Sequence, residues 1–383
     1  MNDRNWVRGT LSYNSRICQY VGRKRAACAQ CVQACPHEAL LPGNDTIEID
    51  LERCTDCGDC VAACPSGALA LRIAERNRFA ELIEGHDSDV IILCGNATRY
   101  EYIESELAEE TELPPGVVVL QVDHIGTLSE VDFARAVMTT RKAVVVPVFE
   151  RGDRNRPFVH AAELMGRITE HLFGARLVHV LSDPATFRAR IGEIAASTEC
   201  SRLPESVTET HENRRSVLQA ILDAWLRSAS GEETAPLVIP HPSFAALTCE
   251  SERCIACGAC ANQCKVQALR FIRDKNLLVH TPAACLNCGV CEAICPEQAL
   301  TLEEGLRLER SFFTERKLAR VEALRCAECG RPFSTAKKVR LVSEKLRVVK
   351  GDDPVLRDLL TLCPECRTKK AVLTMIHKKP ERR

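Results

Sequence analysis

Four short runs of aliphatic and β-branched residues stand out in the middle of the chain. They are Val90-Ile91-Ile92-Leu93, Val117-Val118-Val119-Leu120, Ala143-Val144-Val145-Val146 and Leu177-Val178-His179-Val180. Such short, nearly unbroken apolar runs are what strands buried on both faces require. Between them, apolar residues recur at helical spacing. One set is Val131, Ala134, Val137 and Met138; the next is Ala161, Leu164, Met165, Ile168 and Leu172; the last is Phe187, Ile191, Ile194 and Ala195. Four strand–helix alternations predict a parallel sheet covered by helices over residues 76–200. No glycine-rich phosphate loop follows the first strand, so no nucleotide is expected there.

Outside this region the pattern changes. Residues 46–50 and 299–302 read as short strands. Val217, Leu218, Ile221, Leu222, Trp225 and Leu226 form a helical stripe within residues 201–246. Residues 201–212 are polar, and residues 232–243, with three prolines, read as a linker. Residues 335–346 and 354–360 read as helices.

A chain of 383 residues has room for two to four domains. Its net charge of −1 gives no global field towards nucleic acid or a membrane surface. No apolar run approaches eighteen uncharged residues, and the first residues have no apolar signal region, so a cytoplasmic protein without a membrane segment is expected. Cysteine is the outlier, at 23 residues. Most fall at metal-ligand spacing, which points to reduced, metallated thiols and not to a disulfide scaffold.

Two runs have the spacing C-x2-C-x2-C-x3-C: Cys254, Cys257, Cys260, Cys264 and Cys285, Cys288, Cys291, Cys295. Three thiolates on one tight loop can cap three irons of a cubane, and the fourth Cys reaches a neighbouring cube. Crossed ligation then gives one set of Cys254, Cys257, Cys260 and Cys295, and another of Cys285, Cys288, Cys291 and Cys264. Residues 1–75 carry an altered copy. Cys54, Cys57, Cys60 and Cys64 are regular, whereas Cys28, Cys31 and Cys35 lack the Cys expected two residues before Cys28. Cys18 is the nearest candidate, across a loop bearing Arg23, Lys24 and Arg25. The sets here read as Cys18, Cys28, Cys31, Cys64 and as Cys54, Cys57, Cys60, Cys35. The other reading leaves Cys18 idle, with a three-Cys site or a trinuclear cluster.

After each fourth Cys comes the same turn: Pro36-His37-Glu38-Ala39-Leu40, Pro65-Ser66-Gly67-Ala68-Leu69, Lys265-Val266-Gln267-Ala268-Leu269 and Pro296-Glu297-Gln298-Ala299-Leu300. These motifs resemble the dicluster bacterial ferredoxin family, in two copies. Lys265 departs from the family's proline; it either raises the potential of a nearby cluster or is a solvated side chain. Each lobe is small for a purely hydrophobic core, so the clusters are expected to supply much of its folding energy.

The middle region resembles the delta-subunit domain of methyl-viologen-reducing hydrogenases, which occurs with heterodisulfide reductases. The resemblance rests on the strand ending Leu93-Cys94 with Tyr100 following, on the strand-turns from Val119 to Gly126 and from Val144 to Val148, and on the helix and strand through Val180. It implies an α/β fold and a docking role. That family binds a binuclear cluster through several Cys on these turns. Here Cys94 remains, while Ala97, Asp123, His124 and Val148 stand near the other positions. One thiol cannot hold a cluster, so the cofactor is expected to be lost. Cys94 and Cys200 read as ordinary thiols, and Cys249 is unassigned.

Cys326, Cys329, Cys363 and Cys366 form two C-x2-C knuckles that suit one tetrahedral four-thiolate site. Zinc ribbons and rubredoxins share this layout. Zinc is favoured over rubredoxin-type iron because the aromatic residues that pack around such iron are missing. The nearby Lys337, Lys338, Arg340, Lys369 and Lys370 read as a solvated or protein-docking face in preference to a nucleic-acid surface.

The expected fold class is multidomain α+β and α/β. A dicluster lobe (1–75) is followed by the delta-subunit-like α/β domain (76–200), a helix and linker (201–246), a second dicluster lobe (247–312) and a zinc-ribbon-like domain (313–383). The expected function is electron transfer by four 4Fe–4S clusters within or to a multi-subunit oxidoreductase of hydrogenase, formate dehydrogenase or heterodisulfide-reductase type. No paired carboxylates, nucleophile–base set or open metal site stands out. The alternatives are an enzyme with one site-differentiated cluster, and a redox-sensing or assembly protein.

Overall fold

The computed structural model describes residues 6–8, 11–20, 28–44, 46–71, 81–83, 88–95, 114–140, 142–149, 155–197, 203, 213–229 and 236–377. Outside these lie several features of the sequence: the cations Arg23, Lys24 and Arg25; Ala97 and Tyr100; Cys200; residues 201–212 apart from Leu203; and the beginning of the proline-containing stretch at Glu232. The chain divides into two units. The first holds residues 1–246, 282–289 and 304–314, and the second holds residues 247–281, 290–303 and 315–383.

In the first unit, the four apolar runs form a parallel sheet. Its strand order is Val117–Gln121, Val90–Cys94, Ala143–Pro147 and Val178–Leu181. Strand residues alternate between two cores. Ile91, Leu93, Val144 and Val146 face the larger one, with helices Glu130–Thr139, Pro157–Phe173 and Arg214–Ser228. Val90, Ile92, Cys94, Ala143 and Val145 face the other, with Phe187, Ile191 and Ile194 of helix Pro184–Ala196. Local signals set the helix ends. Ser129 and Asp132 form a reciprocal capping box, Asp183 accepts from the Ala185 amide, and Asn213 accepts from the Ser216 amide at 3.0 Å. Gly174 closes helix Pro157–Phe173 with φ of 68°.

The larger core reaches well beyond the α/β region. Ala62 of the N-terminal lobe joins it, as do Ile239, Ala283, Leu306, Leu308, Phe312 and Phe313. Within the stretch read as a linker, Leu237–Ile239 is a strand paired antiparallel with Leu306–Leu308. A three-residue strand bounded by prolines offers no alternation to read, and prolines confine it to an edge.

The N-terminal lobe has a small core of its own, containing Leu11, Tyr13, Leu40, Ile47, Val61 and Leu69. Its strands pair Trp6–Arg8 with Leu11–Tyr13, Leu11–Tyr13 with Leu69–Leu71, and Leu40–Pro42 with Ile47–Ile49, all antiparallel. In the second unit, Leu269–Ile272, Leu277–His280 and Arg316–Arg320 make an antiparallel sheet. Arg316–Arg320 therefore extends the sheet of the second lobe, although it falls in the span read as the four-cysteine domain. A hairpin, Ala323–Arg325 with Pro332–Thr335, leads into helices Ala336–Lys350, Pro354–Leu360 and Pro364–His377. Among the described residues, no helix is long and apolar enough to cross a membrane.

Burial holds three histidines neutral. His179, His241 and His280 are each lowered to about 4, first by desolvation and then by neighbouring arginines, Arg176, Arg215 and Arg316 respectively. Below pH 6.5 the unfolded chain takes up protons that the folded chain refuses, so their contribution to stability is lost as pH falls from about 6.5 to about 4. The unfolding midpoint should drop across that window. Replacing His280 with Gln should flatten the slope, and an unchanged slope would show that His280 contributes nothing to it.

Candidate metal centres

The four turns that follow the fourth cysteines are one structure used four times. The amide three residues after Cys35, Cys64, Cys264 and Cys295 donates back to the carbonyl of that Cys, at 3.1–3.3 Å. The donating residue is left-handed in each case: Glu38 at φ 50°, Gly67 at 73°, Gln267 at 52° and Gln298 at 47°. A second left-handed position recurs inside the regular C-x2-C loops, at Asp56, Ala256 and Asn287. Non-glycine residues there carry a strain of about 1–3 kcal/mol each, so the surrounding structure must impose the conformation. In the stretched first motif the equivalent position is residue 27, outside the described residues; Cys28, Cys31 and Cys35 match Cys57, Cys60 and Cys64, and the short helix Gln30–Gln33 matches Asp59–Ala62.

The turns aim amide hydrogens at sulfur. Ala39 donates to Cys35 Sγ at 3.2 Å, Leu69 to Cys64 at 3.5 Å, Ala299 to Cys295 at 3.3 Å and Asn287 to Cys285 at 3.5 Å. Tyr20 N donates to Cys18 Sγ at 3.4 Å. Such bonds suit thiolate ligands of iron–sulfur clusters, whose charge they stabilise.

The thiols also gather in sets. Cys35, Cys54, Cys57 and Cys60 line one cavity together with Leu11, Leu40 and Ile49. Cys254, Cys257, Cys260 and Cys295 line another with Ile255, Phe271 and Leu278. These are two of the four sets read from the motifs. For the stretched motif, the Cys31 thiol is pushed well up, first by burial and then by the charges of Cys64, Cys28 and Cys18. Cys28 is pushed up to about 12, again first by burial, with Cys64, Cys288 and Cys18 adding to the rise. Cys18 is thus brought among Cys28, Cys31 and Cys64. Of the remaining set, Cys285 and Cys288 belong to the first unit, and Cys264 and Cys291 pack in the core of the second. The two sets that line cavities fit cubane clusters: four buried or half-buried thiols each, apolar residues around them, and amide hydrogens on some of the sulfurs.

Cys288 counts among the charges acting on Cys28, and the Cys28–Cys31 and Cys285–Cys288 loops of the first unit both reach one carbonyl. The Pro242 carbonyl lies between them. It accepts from Gln30 Nε2 at 3.4 Å and from Asn287 Nδ2 at 3.0 Å, and each donor sits inside one of the loops. Cys249, unassigned from sequence, hydrogen-bonds to Cys254 and is the first reason why Cys254 is held at about 6.

In the second unit, the Sγ atoms of Cys326, Cys329, Cys363 and Cys366 all lie within 4.8 Å of one another. A tetrahedral four-thiolate site with bonds of about 2.3 Å has sulfur–sulfur edges of about 3.8 Å; Cys329 and Cys363 are 3.7 Å apart. The hairpin turn supplies the first pair, and the N-terminus of helix Pro364–His377 supplies the second. Burial raises the Cys326 thiol, but the amides of Cys329, Cys363 and Glu328 outweigh it and hold the group at about 6. Lys337, read as part of a solvated basic face, instead turns its ammonium to the carbonyls of Ser251 and Glu252, 3.2 Å from the former. Beside it, Thr335 Oγ1 donates to the Ile255 carbonyl at 2.9 Å. The four-thiol site is thereby tied to the Cys254 loop.

Sequence reasoning missed two arginines. Arg156 donates to Asp59 Oδ1 and to the Cys57 carbonyl, both at 2.9 Å, and Asp59 is buried. Arg214 donates to the carbonyls of Val61 and Cys64. Each grips one end of the Cys57–Cys64 run from the α/β side. Arg156 gives no local signal. Arg214 and Arg215 do: they open a helix whose N-terminus disfavours cations, a conflict that points to distant partners. In the α/β domain, Cys94 and Val148 face opposite cores. The structure thus separates two of the positions that a binuclear site would need, and Ala97 is outside the described residues.

The Cys57 turn lies flush against the α/β domain. A Cβ on Gly126 would sit 2.0 Å from the Cys57 carbonyl oxygen and 2.4 Å from Arg156 Nη2. Gly126→Ala should therefore displace the Cys54–Cys60 loop and lower iron by about four per chain, the content of one cubane. Iron and sulfide assays on anaerobic protein check this, and full retention would mean that the loop does not depend on the contact.

No curated protein matches the chain. Residues 24–68 and 253–299 each match the family model of the 4Fe-4S dicluster domain. Those two segments contain all the regular cysteine runs described above, and they assign the chain a role in iron–sulfur electron transfer.

Proposed function

We propose that the chain is an electron-transfer subunit that relays single electrons within or to a larger oxidoreductase of hydrogenase, formate dehydrogenase or heterodisulfide-reductase type. The observation that carries this reading is the approach of the Cys28 loop to the Cys288 loop across the Pro242 carbonyl. It puts a ligand loop of one lobe beside a ligand loop of the other, where an electron can pass without a diffusing carrier. The clusters supply one-electron chemistry when bound. The sets are Cys18, Cys28, Cys31 and Cys64; Cys54, Cys57, Cys60 and Cys35; Cys254, Cys257, Cys260 and Cys295; and Cys285, Cys288, Cys291 and Cys264.

The chain's own groups do the rest. Amide N–H groups on the sulfurs and the guanidinium groups of Arg156 and Arg214 favour the more negative, reduced state. Apolar residues wall two of the sets and limit their contact with water. Cys326, Cys329, Cys363 and Cys366 hold zinc in a closed site, which is structural because four thiolates leave no open position. The α/β domain, with its buried Cys94, serves as the platform on which the first lobe docks.

Anaerobic protein should contain about sixteen iron and one zinc per chain, from four cubanes and one four-thiolate site. A reproducible value near eight iron in reconstituted protein would overturn the four-cluster reading, and iron in place of zinc would make the last site rubredoxin-like. Cys18→Ala should convert one cluster to a three-iron form or remove it, leaving the other three. Unchanged iron content and spectrum would make Cys18 idle. The holoprotein should reduce and reoxidise without substrate, whereas a ligand-induced change at one cluster would favour an enzyme.

A further inference from the structure

Arg215 is the second residue of helix Arg214–Ser228 and is 3% exposed. Its Nη2 donates to the carbonyl and to Oγ of Ser243, both at 2.8 Å, and its guanidinium carbon lies 3.6 Å from the centroid of the Phe244 ring. Nε and Nη1 have no hydrogen-bond partner. A buried cation with two free donors is costly unless negative charge lies close by. Two such charges act on it, those of Glu130 and Cys285. Glu130 also faces His241, with Oε1 3.6 Å from Nε2, but burial keeps that imidazole neutral, so the carboxylate still acts on Arg215. The second partner is the sulfur of Cys285, which carries negative charge when it ligates a cluster. The helix packs on the turn Pro282–Ala284, which leads directly into that cysteine.

A thiolate-ligated cubane is an anion that gains a further negative charge on reduction, so a fixed cation in a water-poor site stabilises its reduced form more than its oxidised form. We propose that Arg215 sets the reduction potential of the cluster ligated by Cys285, holding it above the value it would have without the guanidinium. This rests on the electron-transfer reading given above. Arg215 keeps its proton throughout and makes or breaks no bond; one electron enters or leaves the cluster. Phe244 below the guanidinium and Ser243 at its edge hold the charge in place, and burial keeps salt from screening it.

The test is a redox titration of the full-length anaerobic holoprotein, followed by EPR, with dithionite as reductant. Cys285→Ala first identifies the signal that belongs to this cluster. If that variant loses no iron and no signal, Cys285 ligates nothing and the underlying reading fails at this site. In Arg215→Met with iron retained, the reduction equilibrium of that one cluster should shift at least tenfold towards the oxidised state. For a one-electron couple this is about 59 mV or more. The other midpoints should stay in place. Arg215→Lys, which keeps the charge, should shift the same cluster less than tenfold.

Iron-replete Arg215→Met with every midpoint unchanged would overturn the role of Arg215 while leaving the four-cluster reading intact. Equal shifts at all clusters would do the same, because they would report general loosening. If Arg215→Met fails to retain iron, Arg215→Lys decides: a tenfold or larger shift with iron intact would mean that the charge is not what acts.

Discussion

Thiolate sulfurs repel one another, and this chain crowds them: two groups of four line cavities, and the sulfurs of a third lie within 4.8 Å of one another. The small lobes cannot offset that repulsion with apolar area alone. The structure answers with oriented backbone. Left-handed residues at fixed offsets from the cysteines turn amide hydrogens onto sulfur, and the same turn appears four times. The arrangement is worthwhile only when metal and sulfide occupy the space between the thiols. The remainder of the first unit supports it: two arginines clamp the Cys57–Cys64 run, and the α/β domain provides the wall behind it.

What could be read along the chain was whatever is encoded in short windows. The four strands of the parallel sheet were legible because their apolar runs are uninterrupted and the intervening helices keep a 3.6-residue period. The regular cysteine runs were legible because a cubane dictates their spacing. Less legible were features that depend on distant partners. The strand Leu237–Ile239 exists because Leu306–Leu308 pairs with it, and Arg316–Arg320 belongs to the second lobe because Leu277–His280 is its neighbour. Arg156 lies 99 residues from the carbonyl that it holds. Cys18 lies between these cases: its type was visible, but its action on Cys31 and Cys28 is not encoded in any fixed spacing.

The basic residues illustrate how composition misleads. A net charge of −1 suggests no particular field. Yet Arg156, Arg214, Arg215 and Lys337 each turn towards a cysteine-bearing loop. A local concentration of cations beside cysteine loops is invisible to a sum over the chain, because carboxylates elsewhere cancel it in the total.

The interleaving of the two units along the chain has a consequence for biosynthesis. Ala283, Leu306, Leu308, Phe312 and Phe313 complete the core begun by the first 246 residues. A ribosome delivers them only after stretches of the other unit have been made, a delay of several seconds at about 5–20 residues per second. The N-terminal lobe thus leaves the exit tunnel while the core beside it is still incomplete. A version of the chain that ended at residue 246 would keep every N-terminal ligand and still lack the side chains that seal the unit.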